Sequence, residues 1–229
     1  DHDALLTQGL DDTTDAREQL DTMGIPYTLR LVAGNPAAAI LAHARDRGIA
    51  EIVMGAEGAG GVICALLGSV ATDVVEKAGI PVTLVKSSSR TGQFPAGWVD
   101  WLVACDGSPP SLRALHHALQ RSRSTSGTSC IHLLHVRVPD PRLPPPAQEA
   151  TPLARHREQA VRDCAEALRL LDEAKADYRF HVDIGDPVAR ILEVAEDAGC
   201  GHIAMGTRGL GWTRTLIPGS ISGGVLRRS

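Results

Sequence analysis

The sequence lacks several features that would assign it to a special class of protein. No apolar run approaches the ~18 residues that a membrane-spanning helix requires, and no signal peptide is predicted, since no basic segment followed by an apolar stretch opens the chain. The formal net charge is -4 over 229 residues, which gives no electrostatic case for nucleic-acid binding. We therefore expect a cytoplasmic protein without membrane or nucleic-acid partners.

Sequence motifs for metal binding and catalysis are missing as well. The five cysteines are odd in number and none forms C-x-x-C, which argues against a disulfide framework and a zinc site and favours reduced, mostly buried thiols. His132 and His135 lie three apart on a predicted strand and should point to opposite faces, so they are not expected to share a metal ion. H-E-x-x-H, G-x-S-x-G and the Walker lysine motif do not occur. No catalytic or metal-ligating residue is predicted.

What the sequence does contain is an internal repeat. Residues 34–75 align with residues 185–226 at a constant offset of 151, without a gap. Two copies at such a spacing indicate duplicated domains, because solenoid repeats have much shorter periods. The identical pairs include Gly34/Gly185, Pro36/Pro187, Ile40/Ile191, Gly48/Gly199, Met54/Met205, Gly55/Gly206, Gly58/Gly209, Gly68/Gly219 and Ser69/Ser220.

Each copy predicts the same alternation of strands and helices. A β-prone run (Tyr27–Ala33, Tyr178–Ile184) precedes a helix that starts at a Gly-Asn-Pro or Gly-Asp-Pro turn and stops at Gly48 or Gly199. A short buried strand, a glycine-rich loop and a second helix follow, and the first copy adds a strand at Pro81–Val85. In front of the second copy we predict strands at Trp101–Ala104 and Ile131–Val138, a helix at Ser111–Ser122 and one long amphipathic helix at Leu153–Ala176.

This alternation predicts an α/β fold with two tandem copies of a doubly wound, mainly parallel open sheet of the Rossmann-like, adenine nucleotide α-hydrolase-like type. The expected domains are 1–88 and 99–229, joined by a polar linker at 89–98. The first copy lacks a leading strand, helix and strand, and the second lacks a partner for Pro81–Val85.

Both copies contain the motif G-x-x-G-x9-G-S. It reads Gly55, Gly58, Gly68 and Ser69 in the first copy, and Gly206, Gly209, Gly219 and Ser220 in the second. Glycines let the backbone approach an anion closely, and Gly-Ser at the start of a helix offers free N–H groups to a phosphate. The motif follows a strand in each copy, so it falls at the carboxyl edge of the sheet, where open α/β sheets bind their ligands.

The charges of the two loops differ. The second carries Arg208 and Arg214, whereas the first has Glu57 in the place of Arg208. A carboxylate beside a polyphosphate is repulsive, so we expect a phosphate site in the second copy and a degenerate motif in the first. Asp106 directly follows an apolar strand and could accept hydrogen bonds from a base or ribose, or else serve as a turn or capping residue. Ser108 is expected to cap the helix that begins near Pro109.

At this point the chain resembles the universal stress protein family in a tandem two-domain form. The residues that carry the resemblance are Val103-Ala-Cys-Asp106-Gly-Ser108, Leu133-Leu-His-Val136, Gly185-Asp-Pro187, Met205-Gly206-Thr-Arg-Gly209 and Gly219-Ser220. The resemblance implies sheets of five parallel strands with ATP at the carboxyl edge. It places Asp106 on adenine or ribose and the Val136 backbone on adenine. Around the phosphates and ribose it places Gly206, Arg208, Gly209, Gly219, Ser220, Ile221 and Ser222.

The expected function is that of a stress-response or regulatory protein that binds ATP, ADP or AMP, with or without Mg²⁺, in its second domain. Enzymatic activity is expected to be slow ATP hydrolysis at most. Pairing of the two domains within the chain is expected, with or without a homo-oligomer. Two alternatives stay open: a nucleotide-independent dimerisation or interaction module, and an ATP-using enzyme of a related α/β class.

Overall fold

The computed structural model describes residues 2–57, 68–86, 99–124, 129–139, 152–207 and 220–229. The chain forms two compact units, Asp1–Ala50 and Glu51–Ser229. The boundary between these units lies inside the first repeat. The expected domains at 1–88 and 99–229 therefore remain a prediction from the sequence.

The first unit contains three helices, α1 (His2–Asp12), α2 (Thr14–Thr22) and α3 (Pro36–Asp46). The side chain of Asn35 caps α3 by accepting from the amide of Ala38 at 2.9 Å. The strand that we predicted at Tyr27–Ala33 is not formed, and Tyr27 and Leu29 are exposed. That prediction was wrong: a strand needs a hydrogen-bonded neighbour, and among the described residues no strand pairs with this run.

The second unit begins with a small β-α-β element. Its parts are β1 (Ile52–Gly55), α4 (Ser69–Lys77) and β2 (Val82–Val85). The two strands are parallel, with Ile52 opposite Val82 and Gly55 opposite Val85. Ala71 and Val74 are fully enclosed on α4.

The remainder of the second unit is a four-stranded parallel sheet with its helices. The strands are β3 (Trp101–Ala104), β4 (Ile131–Arg137), β5 (Tyr178–Ile184) and β6 (His202–Met205), in the order β5-β4-β3-β6. The helices are α5 (Pro109–Ser124), α6 (Pro152–Asp163), α7 (Ala165–Glu173), α8 (Pro187–Asp197) and α9 (Ser220–Arg228). The predicted strand–helix alternation and the parallel doubly wound sheet are thus confirmed.

Each face of the sheet has its own apolar core. On one face Leu133 and Val103 pack with Leu115 of α5 and with Ala167 and Leu171 of α7. On the other face Leu102 and Leu134 pack with residues of α8 and α9, namely Ile191, Ala195 and Val225. Successive strand residues point to opposite faces, so the uninterrupted apolar sequence of β3 and the adjacent Leu133 and Leu134 of β4 are explained by burial on both sides.

The long helix predicted at Leu153–Ala176 is instead divided at Cys164, where α6 ends and α7 begins. The first copy has the same division at Thr13, between α1 and α2. Thr13 and Cys164 are separated by the repeat offset of 151, and their backbone angles agree closely: φ -103 and ψ 3 at Thr13, φ -98 and ψ 12 at Cys164. The division therefore belongs to the repeated fold and does not depend on the cysteine side chain. It also extends the structural repeat back to residue 2.

The residues that begin and end the helix after the β-prone run are also equivalent in the two copies. Asp186 caps α8 by accepting from the amide of Ala189 at 2.8 Å, as Asn35 does in α3. Gly48 and Gly199 follow their helices with φ of +61 and +66, the left-handed conformation that ends a helix at low cost only when the residue is glycine. Both predicted helix stops are confirmed.

Candidate functional site

The candidate site lies where the strand order of the sheet reverses. The chain leaves β3 towards β4 and β5 and then returns across the sheet to β6, on the other side of β3. Ala104 is opposite Met205 in the register of β3 and β6. Asp106, two residues after β3, and Gly206, directly after β6, therefore lie at the same carboxyl edge of the sheet. Crevices at such switch points are where open α/β sheets hold their ligands.

Asp106 lies in a tight turn after β3. Its Oδ1 accepts a hydrogen bond from the amide of Ser108 at 3.0 Å. Gly107 has φ of +78, and a Cβ built on it would lie 2.1 Å from the carbonyl oxygen of Asp163. The backbone of this turn therefore touches the backbone at the end of α6, which only glycine permits. One carboxylate oxygen of Asp106 thus helps to shape the turn that positions the residue.

Ser108 completes the turn and starts α5. Its side chain is buried, and its Oγ accepts from the amide of Ser111 at 3.3 Å. The Ser111 hydroxyl in turn donates to the Ser108 carbonyl at 2.9 Å. The prediction that Ser108 caps this helix is confirmed. The cap fixes the direction in which α5 leaves the candidate site.

A buried polar group supports the turn from the side of β4. The Nδ1 of His135 lies 3.0 Å from the carbonyl oxygen of Cys105, and its Nε2 lies 3.8 Å from Oδ2 of Asp163. The thiol of Cys164 donates to the same Cys105 carbonyl at 3.7 Å. His135, Asp163 and Cys164 were not predicted as site residues from the sequence. The only signal for Cys164 was its place within an amphipathic helix, where a small thiol is indistinguishable from ordinary packing.

Val136 follows His135 on β4 and points to the opposite face. Its side chain packs with Ala104 and Val188 against the core formed by Leu102 and Leu134. His132, which also lies on that face, contacts His181. The expectation that His132 and His135 point to opposite faces is confirmed. Val136 is the second-last residue of β4, two positions beyond Leu134, whose carbonyl accepts from the Cys105 amide.

Gly206 is in close contact with the first turn of α5. A Cβ at this position would lie 2.8 Å from Cβ of Pro110 and 3.0 Å from the amide nitrogen of Ser111. Packing alone therefore requires glycine here. Gly55, the equivalent residue of the first copy, would place a Cβ 3.3 Å from the Glu57 carbonyl oxygen and within 4 Å of no other atom of the described residues. The same glycine is thus under different constraints in the two copies.

The phosphate loop of the second copy is only partly described. Arg208, Gly209, Gly219 and the neighbouring Arg214 lie outside the described residues, as does the side chain of Ser220. Ser220 begins α9, Ile221 is half-buried against the core on the α8 side, and Ser222 is buried. The structure thus brings Asp106, Val136 and Gly206 to one edge of the sheet and places α9 after the loop.

In the first copy, a backbone hydrogen bond joins the two ends of the glycine motif. Gly55 ends β1, and Gly68 directly precedes Ser69 at the start of α4. The amide of Gly68 donates to the carbonyl of Ala56 at 2.9 Å, which ties together the two ends of the intervening loop. Gly58 lies outside the described residues. At least one N–H group of this motif is already satisfied within the protein.

The described part of the chain contains no cluster of three His, Cys, Asp or Glu side chains arranged to hold a metal ion. Nor is any helix among the described residues both long and apolar enough to cross a membrane.

Two segments of the chain, residues 2–86 and 101–229, match the model of the universal stress protein family. The universal stress protein YxiE of Bacillus subtilis (strain 168) is 33% identical over 79 residues, which are 34% of this chain and 53% of that protein. The chain thus matches about half the length of this relative.

Solved structures agree with the two-copy arrangement. A universal stress protein from Archaeoglobus fulgidus DSM 4304 is 25% identical, with a TM-score of 0.67 over 97% of this chain and 74% of that one. A structure from Pseudomonas aeruginosa UCBPP-PA14 shares the fold at 18% identity, with a TM-score of 0.59 over 99% of this chain and 75% of that one. Because the family model covers both repeats, the chain belongs to the universal stress protein family, in its tandem two-copy form.

Proposed function

We propose that this universal stress protein binds ATP, or another adenine nucleotide, at the carboxyl edge of the sheet in its second copy. The observation that carries the proposal is the meeting of Asp106 and Gly206 at the switch point between β3 and β6. In this proposal Asp106 accepts from the ribose or the base, and the backbone of Val136 contacts adenine. The phosphates lie on the glycine loop and on the first turn of α9, near Gly206, Arg208, Gly209, Gly219, Ser220, Ile221 and Ser222.

The first copy serves a different role in this proposal. Its motif carries Glu57 where the second has Arg208, and its Gly68 amide already donates to Ala56. Both features disfavour a triphosphate. We propose that nucleotide occupancy of the second copy regulates the conformation or the partners of a cytoplasmic protein, with slow ATP hydrolysis at most, and that Mg²⁺ accompanies the phosphates only as part of the nucleotide.

Calorimetric titration of ATP into the purified protein tests the proposal. We expect one site per chain, and Asp106→Ala should weaken binding about tenfold to a hundredfold, since a hydrogen bond to a charged group contributes roughly 1.5–3 kcal/mol. Asp197→Ala is the matched control, because Asp197 is exposed at the far end of α8 and should leave the affinity unchanged. Adenosine should bind more weakly than ATP if the glycine loop holds phosphates.

A nucleotide-independent interaction module is the second candidate. It is favoured by Gly206, whose glycine identity is already explained by contact with Pro110. A folded protein with no measurable affinity for ATP, ADP, AMP or a cyclic nucleotide would favour this candidate. An Arg208→Glu variant that binds ATP as tightly as the wild type would remove the phosphate loop from the proposal.

A further inference from the structure

Cys105 and Cys164, which are 59 residues apart in sequence, lie close together next to the Asp106 turn. The thiol of Cys164 donates to the Cys105 carbonyl at 3.7 Å, and both side chains lie in the same buried cluster. The Cys105 sulfur lies 3.6 Å from the hydroxyl of Ser111. Both cysteines are buried, with 4% of Cys105 and none of Cys164 exposed. Neither thiol has a role in the proposed nucleotide site.

The chain segments that carry the two cysteines are in backbone contact. Gly107, two residues after Cys105, lies so close to Asp163, the residue before Cys164, that a Cβ on Gly107 would be 2.1 Å from the Asp163 carbonyl oxygen. The Cys164 sulfur itself lies 3.7 Å from the Cys105 carbonyl oxygen. A disulfide between the two requires Cα atoms about 4.4–6.8 Å apart.

The neighbouring histidine fixes which groups carry protons. The Cys105 carbonyl oxygen can only accept, so Nδ1 of His135, at 3.0 Å from it, must carry a hydrogen. The same Nδ1 lies 3.6 Å from the Cys164 sulfur, which therefore faces an N–H donor. The Cys105 carbonyl thus accepts from both His135 and the Cys164 thiol. These contacts hold the Cys164 sulfur against the backbone of Cys105.

We propose that Cys105 and Cys164 are a redox modification site, at which hydrogen peroxide converts the two thiols into an intramolecular disulfide that thiol reductants reverse. In the first step the Cys105 thiolate attacks a peroxide oxygen, the O–O bond breaks, and the released hydroxide takes up a proton to form water. In the second step the Cys164 sulfur attacks the resulting Cys105 sulfenic acid. The S–S bond forms, the S–O bond breaks, and the departing hydroxide takes the Cys164 proton as a second water. Two thiols are oxidised while one peroxide is reduced to two waters.

The electrostatics of the cysteines agree with this order of attack. The hydrogen bond from Cys164 lowers the pKa of Cys105 to about 7 against the opposing effect of burial, and it raises the pKa of Cys164. Burial raises the pKa of Cys130 to about 11 and that of Cys200 to about 12. Since the thiolate is the nucleophile, Cys105 should react with peroxide before Cys130 or Cys200 does. These two cysteines provide internal controls.

The test is peptide mapping by mass spectrometry of the folded full chain after treatment with hydrogen peroxide and alkylation of the remaining thiols. We expect a Cys105–Cys164 cross-link, a mass loss of two hydrogens, and recovery of the original mass after reduction. Cys105→Ser and Cys164→Ser should abolish the cross-link. Cys130→Ser and Cys200→Ser should retain it at the wild-type rate.

The proposal is overturned if the peroxide-treated wild type stays folded by circular dichroism and contains no Cys105–Cys164 peptide. It is equally overturned if Cys64, Cys130 or Cys200 forms disulfides as readily as this pair. Peptide mapping of the wild type alone decides the outcome, so the result does not depend on whether each cysteine variant folds.

Discussion

The α-carbon of Gly107 lies against the carbonyl of Asp163, so closely that a Cβ on Gly107 would be 2.1 Å from that oxygen. This contact joins the turn that follows β3 to the end of α6. It explains why Asp106 is followed by glycine, which a sequence motif alone cannot distinguish from an ordinary turn preference. The glycine is required by φ of +78 and by the neighbouring backbone, whose atoms cannot rotate away as a flexible side chain could.

Gly107→Ala should therefore strongly destabilise the second copy. A left-handed conformation costs a non-glycine residue about 1–3 kcal/mol, and overpacking adds roughly 1–3 kcal/mol more. Gly199→Ala is the matched control, because Gly199 has φ of +66 but, in the described part of the chain, no atom within 4 Å of a built Cβ. Urea denaturation should show the larger loss of unfolding free energy for Gly107→Ala. Equal losses in the two variants would mean that α6 moves aside at little cost.

The two copies provide a second matched pair in Gly206 and Gly55. Gly206→Ala would press on Pro110 at 2.8 Å, whereas Gly55→Ala would meet, among the described residues, only the Glu57 carbonyl at 3.3 Å. We expect a loss of about 1–3 kcal/mol in unfolding free energy for Gly206→Ala and a clearly smaller one for Gly55→Ala, by urea denaturation with two spectroscopic probes. A greater loss from Gly55→Ala would contradict the different packing of the two motifs.

Much of the fold could be predicted from the sequence because its signals are local. The Asn35 and Asp186 caps and the helix stops at Gly48 and Gly199 depend on residues within one turn of each other, and the structure confirms all four. The strand predicted at Tyr27–Ala33 failed for the converse reason. Its composition resembles that of Tyr178–Ile184. A strand, however, also requires backbone hydrogen bonds to an adjacent strand, and the sequence of the run itself does not reveal whether one is present.

The candidate site was predictable only where residues follow strands directly. Asp106 and Gly206 could be placed at the carboxyl edge because parallel strands bring their ends together. The support beneath Asp106 could not be foreseen, because His135, Asp163 and Cys164 come from β4 and from the division between α6 and α7. The similar backbone angles of Thr13 and Cys164 show that this division is repeated in both copies.

The buried histidine pair makes the stability of the protein depend on pH. Nδ1 of His132 lies 3.0 Å from Nε2 of His181, with ring centroids 5.1 Å apart and planes inclined by 12°. This geometry places the rings nearly edge to edge, joined by an N–H···N hydrogen bond that requires one neutral imidazole as acceptor. Burial, reinforced for His132 by His181 and for His181 by Arg179, lowers the pKa of both below the ordinary value of 6.5.

The sign of the effect follows from proton binding. Below about pH 6.5 the unfolded chain takes up protons at these histidines that the folded protein does not, so the free energy of unfolding falls as the pH falls; above this value their contribution is constant. Urea denaturation between pH 5 and pH 8 should show this decline, and it should be smaller in the double variant His132→Leu/His181→Leu, which removes both partners together. His116→Gln, at an exposed histidine of α5, should retain the wild-type pH dependence. A double variant with an undiminished decline would assign the pH dependence to other groups.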